Sequence, residues 1–222
     1  MERFSSITRL IMKSPQELKK EMIEITRRMY DKGFVAANDG NVSVRINDRI
    51  LVTPTGKSKG FLRQKDLVWV DLDGKKLEGK LKPTSELLMH LFVYKKREDV
   101  KAVVHAHPPY STALAIAGIE LPDSVMPEVI TSLGEIPLAP YGTPSTQEVP
   151  DSISDLIKSY DAIILRNHGV LTVGKDLAEA YFKLERVEHY AQVFCLTKTF
   201  GKIKKLPPEQ LEKLREIKKK FL

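Results

Sequence analysis

The feature that most constrains the fold is a short apolar run that ends in two histidines and a proline. Ala102 to Val104 is typical of the start of a buried strand, and Pro108 ends the strand because proline has no N–H group to donate. Side chains alternate between the faces of a strand, so His105 and His107 project from the same face, about 7 Å apart along the backbone. Such a pair can bind one divalent metal ion. Two histidines that merely flank an alanine at a strand edge explain this stretch equally well.

The remaining sequence mixes helix and strand patterns along its whole length. Ser14-Pro15-Gln16-Glu17 is a capping box that opens a helix, and Asp176 opens the longest helix, which Gly201 ends. Between them, Val42 to Val52 shows the alternation and the Asn47-Asp48 turn of a β-hairpin. With 222 residues, 42% of them hydrophobic, the chain is long enough for one large domain. We therefore predict a single α/β domain.

The two ends of the chain differ from this domain. We interpret residues 1–13 as an N-terminal extension, residues 14–200 as the domain and residues 201–222 as a basic amphipathic C-terminal tail. The tail carries eight Lys or Arg and three Glu, so it contributes +5 to the formal net charge of +7. This pattern indicates a solvated charged helix. A charge excess confined to a tail, without a nucleic-acid motif, argues against a nucleic acid partner.

Cysteine content and hydropathy indicate the compartment. The single cysteine, Cys195, excludes an intramolecular disulfide, which fits a reducing cytoplasm. No apolar run is long enough to cross a bilayer, and charged residues interrupt any apolar stretch near the N-terminus. We therefore expect a cytoplasmic protein that has no membrane segment.

A third histidine occurs in a setting like that of the first two. Ala162 to Leu165 is a buried strand that leads into His168, and Val170 to Val173 reads as its continuation. Three imidazoles at two strand ends, with one position left open, form the ligand set of a catalytic zinc site. Glu86, expected in the first turn of a helix that Pro83 opens, adds a carboxylate that the helix dipole keeps ionised. From position alone, an ordinary glutamate at a helix start is the better interpretation of Glu86.

Other segments have the composition of an anion site. Thr84 and Ser85 offer hydroxyl groups beside the N–H groups of a helix N-terminus, and Asn41 and the Thr55-Gly56 loop add further donors. Each of these segments taken singly is more often plain turn chemistry. Of the two remaining histidines, His90 is interpreted as a supporting or core residue and His189 as a partly exposed helix residue. The segment from Leu121 to Pro144 is expected to be strand and loop.

Several of these motifs together resemble a known family. They occur in the order and spacing of class II aldolases of the fuculose-1-phosphate aldolase and ribulose-5-phosphate 4-epimerase type. The resemblance runs from about Glu17 to Phe200, and five motifs in register are far more specific than any one of them. The motifs are Gly40-Asn41-Val42-Ser43-Val44-Arg45, Thr53-Pro54-Thr55-Gly56, Thr84-Ser85-Glu86 with His90, His105-Ala106-His107-Pro108 and Asn167-His168-Gly169.

The resemblance implies a fold, an assembly and a metal site. The fold is a three-layer α/β/α domain with a mixed, mostly antiparallel central sheet, and the assembly is a homotetramer with active sites between subunits. The metal is zinc, or another divalent ion, held by His105, His107 and His168, with Glu86 as a further ligand and as the catalytic acid or base. The positions that match the substrate phosphate site are Asn41, Thr55, Gly56, Thr84 and Ser85.

The implied reaction is the reversible cleavage of a ketose 1-phosphate to dihydroxyacetone phosphate and an aldehyde. A pentose-5-phosphate 4-epimerase, a methylthioribulose-1-phosphate dehydratase and a non-catalytic metal-binding scaffold are the alternatives. Two positions depart from the family. Met126 stands where fuculose-1-phosphate aldolases have a catalytic tyrosine, and Pro144 replaces an aromatic residue near the aldehyde pocket. We therefore expect Tyr110, Tyr141 or water to protonate the aldehyde oxygen.

Overall fold

The computed structural model describes residues 13–221 and contains one eight-stranded sheet. The strand order across the sheet is β4-β3-β2-β1-β5-β8-β7-β6, and every neighbouring pair is antiparallel except β6 and β7. The predicted hairpin is therefore confirmed as β1 and β2. The strands are β1 (Asn41–Ile46), β2 (Arg49–Val52), β3 (Val68–Asp71), β4 (Lys76–Glu78), β5 (Ala102–Ala106), β6 (Leu138–Ala139), β7 (Ala162–Leu165) and β8 (Gly169–Gly174).

Seven α-helices flank the sheet in the described part of the chain. The first begins at the predicted capping box, where Ser14 and Glu17 bond each other's backbone N–H groups. The helices are α1 (Pro15–Asp31), α2 (Leu87–Lys96), α3 (Pro109–Ala117), α4 (Pro127–Ser132), α5 (Glu148–Ser152), α6 (Leu177–Phe200) and α7 (Pro208–Phe221).

The sheet is covered on both faces, which confirms the three-layer α/β/α architecture. One apolar layer joins the sheet to α1, α3, α4 and α6, and strand β5 contributes Ala102, Val104 and Ala106 to it. The other joins the sheet to α2 and α5, and β5 contributes Val103 to it. The strand alternation therefore assigns His105, two residues beyond Val103, to the face that α2 covers. Because α2 also carries Glu86 at its start, this face brings the two residues together.

Two local predictions were wrong, and one strand was not predicted. Val170 to Val173 does not continue β7; the chain reverses at Asn167 and His168, and β8 pairs antiparallel with β7. Asn167, with φ of 54°, adopts the left-handed conformation that such a reversal requires. The segment from Leu121 to Pro144 contains a helix, α4, which its Pro127 opens at the first helical position. The short edge strand β4 was not predicted, because its three residues are all exposed.

The basic tail forms a helix, as predicted, but it is not solvated on all sides. Lys218 Nζ donates a hydrogen bond of 2.8 Å to Leu133 O, and Arg215 lies 3.5 Å from Asp123, so α7 docks beside α4. The division of the chain into extension, domain and tail stays a prediction, and residues 1–12 of the extension lie outside the described residues. In the described part of the chain, none of the helices combines the length and apolar character that a bilayer crossing requires.

Candidate metal centre and substrate cavity

The end of β5 presents two imidazoles to each other. The Nε2 atoms of His105 and His107 are 3.0 Å apart, and the ring centroids are 4.9 Å apart. His105 is fully buried, and its Nδ1 lies 2.9 Å from the carbonyl oxygen of Val170. A carbonyl only accepts hydrogen bonds, so Nδ1 carries a proton and Nε2 is the ring nitrogen that faces His107. A metal-binding histidine keeps its proton on the nitrogen away from the metal, so Nε2 is the atom of His105 that would bind a cation in place of a proton.

The turn between β7 and β8 brings the third imidazole to the same place. The His168 ring centroid lies 4.6 Å from that of His105 and 5.0 Å from that of His107. One ring nitrogen from each histidine can be chosen so that all three lie within 4.8 Å of one another. Gly169 makes the approach possible, since a Cβ atom there would lie 2.7 Å from Cδ2 of His107. The predicted convergence of the three histidines is therefore observed.

Glu86 completes the cluster from the α2 side. Its Oε2 lies 3.3 Å from Nε2 of His105, and its Oε1 lies 3.3 Å from Nε2 of His168. The residue is not in the first helical turn as expected; it is the N-cap of α2, which begins at Leu87. The chain stays extended through Thr84, whose backbone N–H donates to the carbonyl of Thr53. The helix therefore starts later, and the Glu86 carboxylate is directed at the histidines.

A buried row of polar side chains supports the carboxylate. Asn41 Nδ2 donates a 2.7 Å hydrogen bond to Glu86 Oε2, and Asn41 Oδ1 lies 2.5 Å from Nε2 of His90. His90 is fully buried, and its Nδ1 lies 2.6 Å from Ser43 Oγ, which in turn lies 2.7 Å from the hydroxyl of Tyr94. An anionic carboxylate only accepts, so each member donates towards Glu86, and His90 carries its proton on Nε2. His90 is thus the supporting residue that its helix position indicated.

Burial and charge together set the protonation of the cluster. Burial alone raises the pKa of Glu86, but the neighbouring His105, His168 and Asn41 outweigh it and bring that pKa well below its ordinary value. Burial lowers the pKa of His105, but the Glu86 carboxylate more than reverses this and leaves it raised. Burial and the positive charge on His105 lower the pKa of His107 and of His168 to about 4. Near neutral pH, the carboxylate is ionised and two imidazoles are neutral.

This donor set fits a divalent cation. In a tetrahedral zinc site with ligands at about 2.0–2.1 Å, neighbouring ligand atoms lie about 3.3 Å apart. The separations of 3.0 Å between the His105 and His107 nitrogens and of 3.3 Å from Glu86 to His105 and to His168 are of this size. Glu86 Oε1 is buried, yet it has no hydrogen-bond partner among the described residues. A bound cation would take its ligands from these converging ring nitrogens and would satisfy the unpaired buried oxygen of Glu86.

Three members of the cluster, Glu86, His107 and His168, form part of the wall of a cavity of about 260 Å³. Two backbone hydrogen bonds, from Thr55 N to Lys82 O and from Thr84 N to Thr53 O, join the two loops that form another part of this wall. All the residues expected at the phosphate site line this cavity. They are Asn41, Thr55, Gly56, Thr84 and Ser85.

Of the residues predicted near the aldehyde, only Pro144 lines the cavity. Among the described residues of this single chain, neither Tyr110 nor Tyr141 lines the cavity, and Tyr141 is 54% exposed. Met126 packs partly buried against the core, whereas Pro144 does line the cavity. The role of the two tyrosines stays a prediction.

Sequence reasoning missed two charged residues of the cavity wall. Asp39 Oδ2 lies 3.6 Å from Nδ1 of His107, and Lys59 is almost completely buried beside the Thr55-Gly56 loop. Asp39 belongs to a strong turn motif, which explains its presence without reference to a site. A lysine in a polar loop is most often solvated, so the sequence held no signal for Lys59.

The fold and the site define a three-layer α/β/α protein with a three-histidine, one-glutamate cluster at the end of an antiparallel sheet. Residues 20–195 match the family model described as the class II aldolase and adducin N-terminal domain. The chain therefore belongs to the class II aldolase family.

Individual relatives support the same membership. The chain is 42% identical over 173 residues to an L-fuculose phosphate aldolase of Methanococcus maripaludis, covering 78% of this chain and 93% of the relative. It is 35% identical over 181 residues to a 3-oxo-tetronate 4-phosphate decarboxylase of Haemophilus influenzae, covering 79% of this chain and 86% of the relative. A solved L-fuculose 1-phosphate aldolase structure superimposes with a TM-score of 0.84 at 31% identity, covering 92% of this chain and 97% of the other.

Proposed function

We propose that this protein is a divalent-metal-dependent aldolase that reversibly cleaves a ketose 1-phosphate, such as L-fuculose 1-phosphate, to dihydroxyacetone phosphate and an aldehyde. The observation that carries the proposal is the convergence of His105, His107, His168 and Glu86 beside a cavity that Thr55, Thr84 and Ser85 also line. The aldolases among the relatives support the choice of reaction.

The three histidines and Glu86 would hold the metal, with zinc as the ion that this donor set suits best. A divalent cation there supplies Lewis acidity towards a carbonyl oxygen and stabilises negative charge beside it. A carboxylate with two neutral imidazoles and a third histidine suits an intermediate ion such as zinc better than magnesium or calcium, which prefer oxygen ligands.

Glu86 is the acid and base of the proposed reaction. In the synthetic direction, the Glu86 carboxylate removes a C3 proton from dihydroxyacetone phosphate, C3 forms a bond to the aldehyde carbon, and the aldehyde oxygen takes a proton from water. Cleavage is the reverse: water takes the hydroxyl proton on C4, the bond between C3 and C4 breaks to give the aldehyde, and Glu86, having taken up a proton from water, passes it to C3. Asn41 orients the carboxylate through the 2.7 Å hydrogen bond to Oε2. Because this hydrogen bond already holds the carboxylate in place, little conformational entropy is lost when it positions for proton transfer.

The remaining wall residues position the substrate. Thr55, Gly56, Thr84 and Ser85 offer hydroxyl and backbone donors to the phosphate group. Asn41 can add only the second hydrogen of its Nδ2, because its other amide groups bond His90 and Glu86. Water, which the open cavity admits, is the proton carrier for the aldehyde oxygen, with Tyr110 and Tyr141 as the other candidates. A homotetramer with sites at subunit interfaces, in the cytoplasm, is part of this proposal.

A product assay over a small panel of sugar phosphates tests the proposal. Metal-loaded protein should release dihydroxyacetone phosphate from fuculose 1-phosphate or ribulose 1-phosphate, and a chelator should abolish the release. Conversion of ribulose 5-phosphate to xylulose 5-phosphate would instead support the epimerase. Release of carbon dioxide from 3-oxo-tetronate 4-phosphate, without cleavage of either ketose 1-phosphate, would support the decarboxylase activity that one relative's name describes.

A further inference from the structure

Lys59 is a buried lysine of the cavity wall. The residue is 2% exposed, and it lines the cavity together with Thr55, Gly56 and Ser85. Its Nζ donates hydrogen bonds to two backbone carbonyls, those of Asn38 at 2.7 Å and Lys57 at 3.0 Å. An ammonium has three N–H groups, so one donor remains after these two bonds.

Within the described part of the chain, no acidic side chain forms an ion pair with this cation. Among the described residues, no carboxylate oxygen lies within 4 Å of Lys59 Nζ, whereas the adjacent Lys57 is paired with Asp66 at 3.3 Å. Burial lowers the pKa of Lys59 to about 8, and the more distant charges of Asp39 and Glu86 only partly oppose this effect. A buried charge without a close counterion is unfavourable. Such a group is expected where a ligand supplies the missing charge.

The backbone around Lys59 is fixed against the body of the protein. Lys59 to Phe61 forms a short 3-10 turn that packs on α1, and a Cβ atom at Gly60 would lie 2.5 Å from the ring of Tyr30. With the backbone fixed and two N–H groups held by carbonyls, the ammonium has one orientation. Its position is therefore a property of the fold and does not depend on a flexible side chain.

We propose that Lys59 binds the phosphate group of the substrate through its remaining N–H, supplying the positive charge that the neutral donors of Thr55, Thr84 and Ser85 lack. The identity of the anion rests on the proposed function, since a ketose 1-phosphate brings a phosphate dianion into this cavity. A charge-assisted hydrogen bond from a desolvated ammonium is stronger than one from a hydroxyl. Lys59 is then the specificity residue that distinguishes phosphorylated from unphosphorylated sugars.

The test measures binding of inorganic phosphate to the metal-loaded full-length protein by titration calorimetry. Lys59→Met removes the charge and keeps much of the side-chain volume, and Lys57→Met is the matched control because it removes one positive charge two residues away. We expect phosphate to bind Lys59→Met about 10- to 100-fold more weakly than wild type, the usual effect of losing a hydrogen bond to a charged group. Lys57→Met should bind phosphate within about twofold of wild type. Equal phosphate affinity in Lys59→Met and wild type would overturn the proposal.

Thermal unfolding of the same variants provides a second measurement. Without phosphate, Lys59→Met should unfold at or above the wild-type midpoint, since an uncompensated buried charge has been removed. With phosphate, the wild-type midpoint should rise and that of Lys59→Met should stay nearly constant, because a ligand stabilises the folded state in proportion to its occupancy. A Lys59→Met protein that fails to fold, or unfolds far below wild type, would show that Lys59 is a structural tie and would also overturn the proposal.

The two proposals fail in different ways. If no ketose 1-phosphate is cleaved but phosphate binding depends on Lys59, the reaction assignment fails and the assignment of Lys59 stands. If the ketose 1-phosphate is cleaved and Lys59→Met binds phosphate as wild type does, the assignment of Lys59 fails and the reaction stands.

Discussion

Asn41 Nδ2 donates a hydrogen bond of 2.7 Å to Oε2 of Glu86, and this contact joins the central sheet to the start of helix α2. Asn41 is opposite His105 in the pairing of β1 with β5, so the strand register itself places the amide beside the histidine cluster. The other end of the amide is held by His90, whose ring bonds Ser43. The orientation of the Glu86 carboxylate is therefore fixed by residues within the interior.

Asn41→Asp tests whether this amide orients Glu86. The new carboxylate would face Glu86 in place of the donor, and two like charges at hydrogen-bonding distance raise the pKa of one of them. We expect kcat to fall by about 10- to 100-fold, less than the roughly 100- to 10,000-fold for losing an acid–base group, because Glu86 itself is still present. Phosphorylated and unphosphorylated substrates should be affected alike. Ser85→Ala, which alters only the predicted phosphate site, should instead raise KM selectively for the phosphorylated substrate. If Asn41→Asp behaves like Ser85→Ala, Asn41 acts on the phosphate and not on Glu86.

Glu86→Gln should separate metal binding from chemistry. The three histidines remain, so the variant should fold and keep part of its metal, but the amide cannot accept the substrate proton. Turnover should fall by about two to four orders of magnitude. Metal analysis of the same preparation is the control, because a variant that has lost all its metal would not report on the proton transfer. Near-normal turnover would contradict the catalytic role of Glu86 and leave it only its position as the N-cap of α2.

The histidine cluster predicts the metal content. Purified wild-type protein should contain about one divalent ion per chain, and His105→Ala or His168→Ala should lose the metal together with activity. His189→Ala is the matched control, because His189 is an exposed histidine of α6 that lies outside the cluster. Full metal content in His168→Ala, measured by elemental analysis, would contradict the assignment of that ligand.

Lys59 gives the stability of the phosphate-free protein a defined pH dependence. Its pKa is about 8 in the folded protein, compared with 10.5 for an ordinary lysine, so between these values the unfolded chain binds more protons than the folded one. Its destabilising contribution is full below pH 8 and disappears as pH rises towards 10.5. The advantage of Lys59→Met over wild type in unfolding free energy should therefore shrink by about 3 kcal/mol between pH 7 and pH 10.5. Denaturant titrations at several pH values measure this difference, and a difference independent of pH would contradict it.

The sequence predicted those parts of the site that strand and helix periodicity determine. His105 and His107 share a face because they are two residues apart on a strand, and the apolar run before His168 identified a second strand end. The apolar run from Ala162 to Leu165 did not predict the antiparallel β7–β8 hairpin. The chain reverses at Asn167, which has a positive φ, and an asparagine is a weaker signal for such a conformation than a glycine. The N-cap position of Glu86 depends on hydrogen bonds between two loops, which local periodicity does not encode.

The contacts that were not predicted join residues distant in the chain. Asn41 and His90 are 49 residues apart, and they meet only because β1 and α2 pack on the same face of the sheet. Lys59 is buried because the turn that carries it docks on α1 through Gly60 and Tyr30. Such contacts follow from tertiary packing, which composition and spacing do not reveal. From the sequence, each of these residues was therefore assigned the role that its residue type has most often.

The most direct test is exchange of the C3 proton of dihydroxyacetone phosphate in deuterium oxide, followed by proton NMR. It needs no aldehyde, so it is independent of the second substrate. In the proposed reaction Glu86 removes this proton and a bound cation would stabilise the resulting charge, so metal-loaded wild-type protein should catalyse stereospecific exchange of one C3 hydrogen. Chelation should abolish the exchange, and Glu86→Gln should slow it by about two to four orders of magnitude. If loaded wild-type protein binds dihydroxyacetone phosphate and leaves both C3 hydrogens unexchanged, the aldolase assignment is contradicted.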